Sequence, residues 1–228
     1  MKVSVKKSRL LCMVICILIA LLVSQKEIRA KTPAPFVSSE PLLPSQNIVK
    51  VDGFRSAQFG MTEKEVLKSI FRDFRIPKSK IKRRIHPNEK TVSLIFQVKD
   101  LLPNSGLAKL FYIFGFKGKR LIQVNILWGK TVTSKFNPQR VVDTANQLRV
   151  HFSGQGFQKE GLVVNTRLSD GSILVFRGVD GHGKVVTLLL VNPPPKEGRS
   201  PNQNINLRLS YIANPDSPDV YKIDKDDF

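Results

Sequence analysis

Twice in this chain a capped helical segment is followed by a set of short alternating or apolar runs, and that order leaves few folds open. The first helix opens on a capping box. Thr62 stands where its side chain can accept from a first-turn N–H, and Glu65 can reach back to the Thr62 backbone. Met61 and Val66 are spaced as a hydrophobic staple, and Val66, Ile70, Phe71 and Phe74 recur at helical spacing. Pro77 cannot continue the helix and pushes Ile76 towards extended geometry, so a helix is expected over 63–75. The second helix starts at Asn137, with Pro138 at its first position. Val141, Ala145, Leu148 and Phe152 mark its apolar face, and Gly154 and Gly156 end it.

Strands are expected over 81–85, 91–99, 107–116 and 121–128 after the first helix, and over 157–168, 172–179, 184–191 and 205–212 after the second. Val92, Leu94, Phe96 and Val98 alternate with Ser93, Gln97 and Lys99, and Ile95 is the exception on the polar side. Ile122, Val124, Ile126 and Trp128 fall on one face, Gln123 and Asn125 on the other. Lys117-Gly118-Lys119, Asp170-Gly171 and Asp180-Gly181-His182-Gly183 supply tight turns. Alternation of this kind belongs to antiparallel sheets with one buried face. The fold class is therefore α+β: two tandem units, 53–130 and 131–213, each a helix packed on an antiparallel β-meander, with a seam between Gly129 and Phe136. A single larger sheet carrying both helices satisfies the same order.

The N-terminal region sets the expected location. Lys2, Lys6, Lys7 and Arg9 precede an apolar run over 10–23, and Ala30 follows. Basic end, apolar core and small residue are the order of a secretory signal, expected to be cleaved at 30. The alternative is a retained inner-membrane anchor at 10–23. Pro33, Pro35, Pro41 and Pro44 then make 31–52 a Pro/Ser-rich linker. Cys12 and Cys16 both lie in the signal, so the exported domain rests on its core without disulfides or thiolate chemistry. That fits a bacterial envelope, a periplasmic or secreted location, better than an animal secretory pathway. Of the 37 Lys and Arg and 18 Asp and Glu, six and one fall within 1–30. That leaves 31 against 17, a net charge of about +14, a surface that attracts anions. The acidic tail, 214–228, is expected to be loosely held and to fold back on the basic surface.

Around the first helix, Phe59-Gly60-Met61-Thr62-Glu63-Lys64-Glu65-Val66 resembles the Gly-Met-Ser/Thr-x-x-Glu-Val opening of the SmpA/OmlA (BamE-like) envelope lipoproteins and the related β-lactamase-inhibitory-protein-like domains. The resemblance implies helices packed on an antiparallel sheet, a protein-binding or scaffolding role and no enzymatic activity. It carries over no site residue. The chain has no lipobox, and its first unit has one clear helix where that family has more.

Catalytic constellations are not apparent in the sequence. His86, His151 and His182 share no metal-ligand spacing. Asp180 with His182 is a conceivable metal pair, but Gly and Asp are what a hairpin turn requires. Ser153 and Ser172 follow cap and turn logic. A Ser/His/Asp triad assembled only in space, hence an unrecognised hydrolase, stays open. Glu63 and Glu65 suit a helix N-terminus, and the tail acids do not have calcium-loop spacing. No cofactor is expected.

Two basic clusters remain: Lys78, Lys80, Lys82, Arg83 and Arg84, then Lys117, Lys119 and Arg120 at a hairpin tip. They are candidate contacts for a partner protein, an anionic lipid or a glycan, and nucleic acid is not expected for an exported chain. A solvated edge strand, protected by Lys against aggregation, accounts for them better. Phe111, Phe114 and Phe116, beside the second cluster, suit core packing more than stacking on a ligand.

Overall fold

A computed structural model describes residues 49–192 and 204–223. The expected signal, residues 31–48 of the linker, most of the 193–204 loop and the last five residues lie outside the described residues. A hairpin of β1 (Gly53–Phe54) and β2 (Ala57–Gln58) leads into α1 (Glu63–Phe74), a 3-10 turn at Lys78–Lys80, and strands β3 (Lys82–Ile85), β4 (Val92–Lys99), β5 (Leu107–Phe114) and β6 (Leu121–Gly129). The order then recurs: α2 (Pro138–Ser153), a 3-10 turn at Lys159–Gly161, and β7 (Val163–Arg167), β8 (Ile173–Val179), β9 (Val185–Val191) and β10 (Asn206–Ile212). Strands β3 to β10 form one eight-stranded antiparallel sheet in the order β3-β4-β5-β6-β10-β9-β8-β7. Its middle is the pairing of β6 with β10, in which Asn125 faces Ser210.

Capping fixes both helices. The Thr62 N–H donates to the Glu65 carboxylate at 2.8 Å, and the Glu65 N–H donates to Thr62 Oγ1. Arg75 ends α1 in the left-handed conformation, with its N–H on the Phe71 carbonyl. Asn137 Oδ1 accepts from the Arg140 N–H to start α2. Each helix lays an apolar stripe on the same face of the sheet. Val66 and Ile70 are fully buried, and Phe74 packs on Phe96 of β4 at 5.4 Å between ring centroids. From α2, Val141, Ala145, Leu148 and Phe152 are buried, and Phe152 stacks on Phe176 of β8. Each Leu or Phe so buried contributes about 1.5–3 kcal/mol relative to leaving it in water.

Several expectations change. Phe71 is 53 % exposed, because it lies a full 100° round the helix from the buried Ile70. A bulge at Ile113/Phe114 pairs Phe114 with Leu121, so Leu121 takes the buried place and Ile122 is only half-buried. The expected strand at 157–168 is a 3-10 turn followed by the shorter β7. The fold begins before Phe54. Val51 is buried, and its N–H donates to the Asp180 carboxylate at 2.9 Å. Lys184 Nζ meets Asp52 at 2.7 Å, so 49–52 is docked on the β8–β9 turn and does not behave as linker. At the seam, Gly129 has φ +101°, and a Cβ there would lie 2.3 Å from the Ile205 carbonyl oxygen.

Candidate functional site

Alternation puts every second strand residue on the sheet face away from the helices, and no described element covers that face. Register defines its rows. Ile95 pairs with Phe111, Phe111 with Asn125, Asn125 with Ser210 and Ser210 with Thr187. A second row runs Gln97, Lys109, Leu127, Arg208 and Leu189. Ser93, Ile113 and Gln123 start a third. The expected exception in β4, Ile95, is thus part of a half-buried apolar strip with Phe111 and Ile113.

The edge strand β3 splits the first basic cluster. Lys82 pairs with Ile95 and Arg84 with Ser93, so both side chains share the uncovered face. Arg83 pairs with Leu94 and lies on the helix side, where its Nε meets the Glu63 carboxylate at 3.1 Å. Lys80 joins Lys82, Arg84 and Lys109 around a shallow cavity of about 660 Å³ floored by Ile95 and Phe111. Lys78 begins the preceding 3-10 turn. None of these four cations forms an ion pair with a described residue, and Lys109 Nζ sits 5.5 Å from the centre of the Phe111 ring. The one carboxylate in the lining, Glu89, stands 4.0 Å from His86. Charges held over an apolar floor, next to low-dielectric protein, attract anions more strongly than the same charges in free solvent.

The second cluster occupies the β5–β6 turn and is partly engaged. Arg120 bridges to Thr62 through the backbone. Lys119 Nζ stands 5.0 Å from the Phe116 ring centre. The Asp219 carboxylate accepts the Lys117 and Gly118 N–H groups at 2.9 and 2.7 Å, and the Phe116 N–H donates to the Asp219 carbonyl. Burial pushes the Asp219 carboxyl up, but those two N–H groups and the charges of Lys119 and Lys117 outweigh it and hold it below the usual range. Tyr221 stacks edge-on to Phe116 and donates its N–H to the Glu89 carbonyl. Residues 219–221 therefore bridge the β5–β6 and β3–β4 turns, which corrects the expectation of a loosely held tail over this stretch. Folding back on the basic surface is what Asp219 does. Phe114 is core, whereas Phe111 and Phe116 are not.

Elsewhere, the histidines serve local structure. His86 Nδ1 accepts the Glu89 N–H, and His151 meets the Gln155 amide at 2.8 Å. Asp180 is buried, and its carboxylate accepts backbone N–H groups from Val51, His182 and Lys184. His182 thus offers Asp180 its backbone, and the ring is not part of a pair. Among the described residues, no three His, Cys, Asp or Glu are grouped to hold a metal. Ser172 donates both its N–H and its hydroxyl to Asp170.

Sequence reasoning missed Lys109, Gln97, Asn125 and Arg208 as parts of the same surface. Their common signal was alternation itself: each lies on the polar side of a strand whose other side is core. No protein-family model, curated protein or solved structure matches the chain. No helix among the described residues is long and apolar enough to cross a membrane.

Proposed function

We propose that this chain is an exported, non-enzymatic binding protein of the bacterial cell envelope, acting through protein–protein contact at its uncovered sheet face. One observation supports the reading above others: an apolar strip, Ile95, Phe111 and Ile113, ringed by Lys80, Lys82, Arg84 and Lys109 without ion-pair partners among the described residues. An apolar centre within a charged rim is the anatomy of a protein interface. The rim's sign selects a partner with an acidic surface. The resemblance around Gly60 to Val66 points the same way.

The two halves are read as tandem units, α1 with β3–β6 and α2 with β7–β10, joined edge to edge. The mirrored strand order about the β6–β10 pair supports that reading. Anionic lipid or wall polymer is the second reading, favoured by the cationic rim alone; the apolar strip gives a rigid polyanion nothing to bury.

The test is site-specific photo-cross-linking in the native envelope, from Gln97 and Lys109 on the open face and from Lys68 and Val150 on the helices. The expected result is one stoichiometric acidic protein, captured from the open face alone and lost when Lys80, Lys82 and Arg84 become Gln. Capture from the helix positions only overturns the assignment of the face. Lipid or glycan released by salt, without protein, overturns the protein-contact reading in favour of the second.

A further inference from the structure

The opposite face of the sheet holds a second cavity, of about 310 Å³, over the β6–β10 seam and between the β1–β2 hairpin and α2. Ile126 and Leu209 give it an apolar floor, together with the rings of Trp128 and Tyr211. Ligand cavities in proteins span roughly 300–1,000 Å³. At the roughly 30 Å³ that a water-sized group occupies, this one takes about ten heavy atoms.

Its polar chemistry is unusual for a core. Trp128 is 1 % exposed, and its indole N–H is buried with no acceptor among the described residues. The Tyr112 hydroxyl, on the same sheet face but not in the cavity wall, is likewise buried and without a partner among the described residues. A buried donor left unmet costs about 1–3 kcal/mol. No carboxylate lines the cavity. Arg55 brings a full positive charge to its wall, with Gln147 and His151 of α2 opposite, and all three are exposed at its mouth. Arg55 uses one guanidinium nitrogen on the Asp73 carbonyl and lies over the Phe74 ring at 4.5 Å. The Asp73 carboxylate is occupied by the Ser56 N–H and hydroxyl.

We propose that this cavity binds a medium-chain carboxylic acid. The alkyl chain lies over Ile126 and Leu209, and the carboxylate takes hydrogen bonds from Arg55 at the mouth. The site is independent of the uncovered sheet face, since it lies on the other side of the same strands.

Trp128 is the one tryptophan of the chain, so its emission reports the site directly. The full chain is titrated with octanoate and, separately, with octanol, and the indole N–H resonance is followed by NMR. The expected result is a saturable emission change and a shift of the indole proton with octanoate. Arg55→Gln should weaken octanoate at least tenfold and leave octanol unchanged, as loss of a charge-assisted bond requires. Gln147→Phe, at an exposed helix position that leaves the core intact, should narrow the mouth and abolish both. No saturable change with octanoate overturns the proposal. Equal effects of Arg55→Gln on the acid and the alcohol overturn the assignment of the head group, and binding untouched by Gln147→Phe overturns the location.

Discussion

Asp180 ties the start of the domain to its second half, and its replacement separates charge from shape. One carboxylate oxygen takes the Val51 N–H at 2.9 Å, and the other takes the N–H groups of His182 and Lys184 at 2.8 and 2.9 Å. Hydrogen bonds to a charged group are each worth about 1.5–3 kcal/mol. In Asp180→Ala, His182 and Lys184 lie at a hairpin tip and recover much of that from water, about 1 kcal/mol being lost at each. Val51 is buried, so its N–H loses the bond outright, at about 2 kcal/mol. The expected cost for alanine is therefore about 3–5 kcal/mol. Asparagine keeps one oxygen, enough for the two tip amides, but turns an NH₂ towards the Val51 N–H. Its cost should be about 2–3 kcal/mol, nearly all of it from Val51. Urea unfolding followed by Trp128 emission measures both. If Asp180→Asn falls within 0.5 kcal/mol of the native chain, Val51 does not depend on this carboxylate and the docking of 49–52 is misassigned.

Thr62→Ala removes one half of the α1 capping box and should cost about 1 kcal/mol in the same unfolding experiment. Because Asp219 titrates below the ordinary carboxylate range when folded, its hold on the β5–β6 turn is complete above that range and is lost as pH falls through the lowered value. Protection of the Lys117 and Gly118 amides, taken relative to the intrinsic exchange rate at each pH, should fall on acidification to that point, and in Asp219→Asn it should be low at every pH. Gly129→Ala places a Cβ against the Ile205 carbonyl at a positive φ and should destabilise by more than about 1 kcal/mol, read as a lowered thermal midpoint. Gly171→Ala has the positive φ without the crowding and should cost less.

Local signals were legible where a few neighbouring residues sufficed to make them. Thr62 with Glu65, and Asn137 with Pro138, fixed both helix starts because capping is a contact across three residues. The buried row of β4 followed from alternation. Leu121 and Ile122 were exchanged because a bulge adds a residue without any mark in the composition. Strand neighbours were out of reach for a different reason. The pairing of β6 with β10 joins residues about eighty positions apart, and nothing near Asn125 announces Ser210. The candidate site shared that limit. Lys82 and Arg84 were visible as a basic run, but their separation from Arg83, and their meeting with Lys109, depend on register. The role of Asp180 in docking Val51 was hidden by its position in an ordinary-looking turn.

The position of β10 in the sheet has a consequence for synthesis. The last described strand in chain order is an inner one, paired on both sides, whereas the outermost strands of the large sheet, β3 and β7, are made first in each half. Until residues 206–212 leave the ribosome, β6 and β9 each present a free edge bearing apolar residues such as Ile126 and Leu188. Free apolar edges are where nascent chains pair wrongly. The sheet therefore closes in one late step, by insertion of its C-terminal strand. The interval before that step is when the chain most needs its free edges shielded.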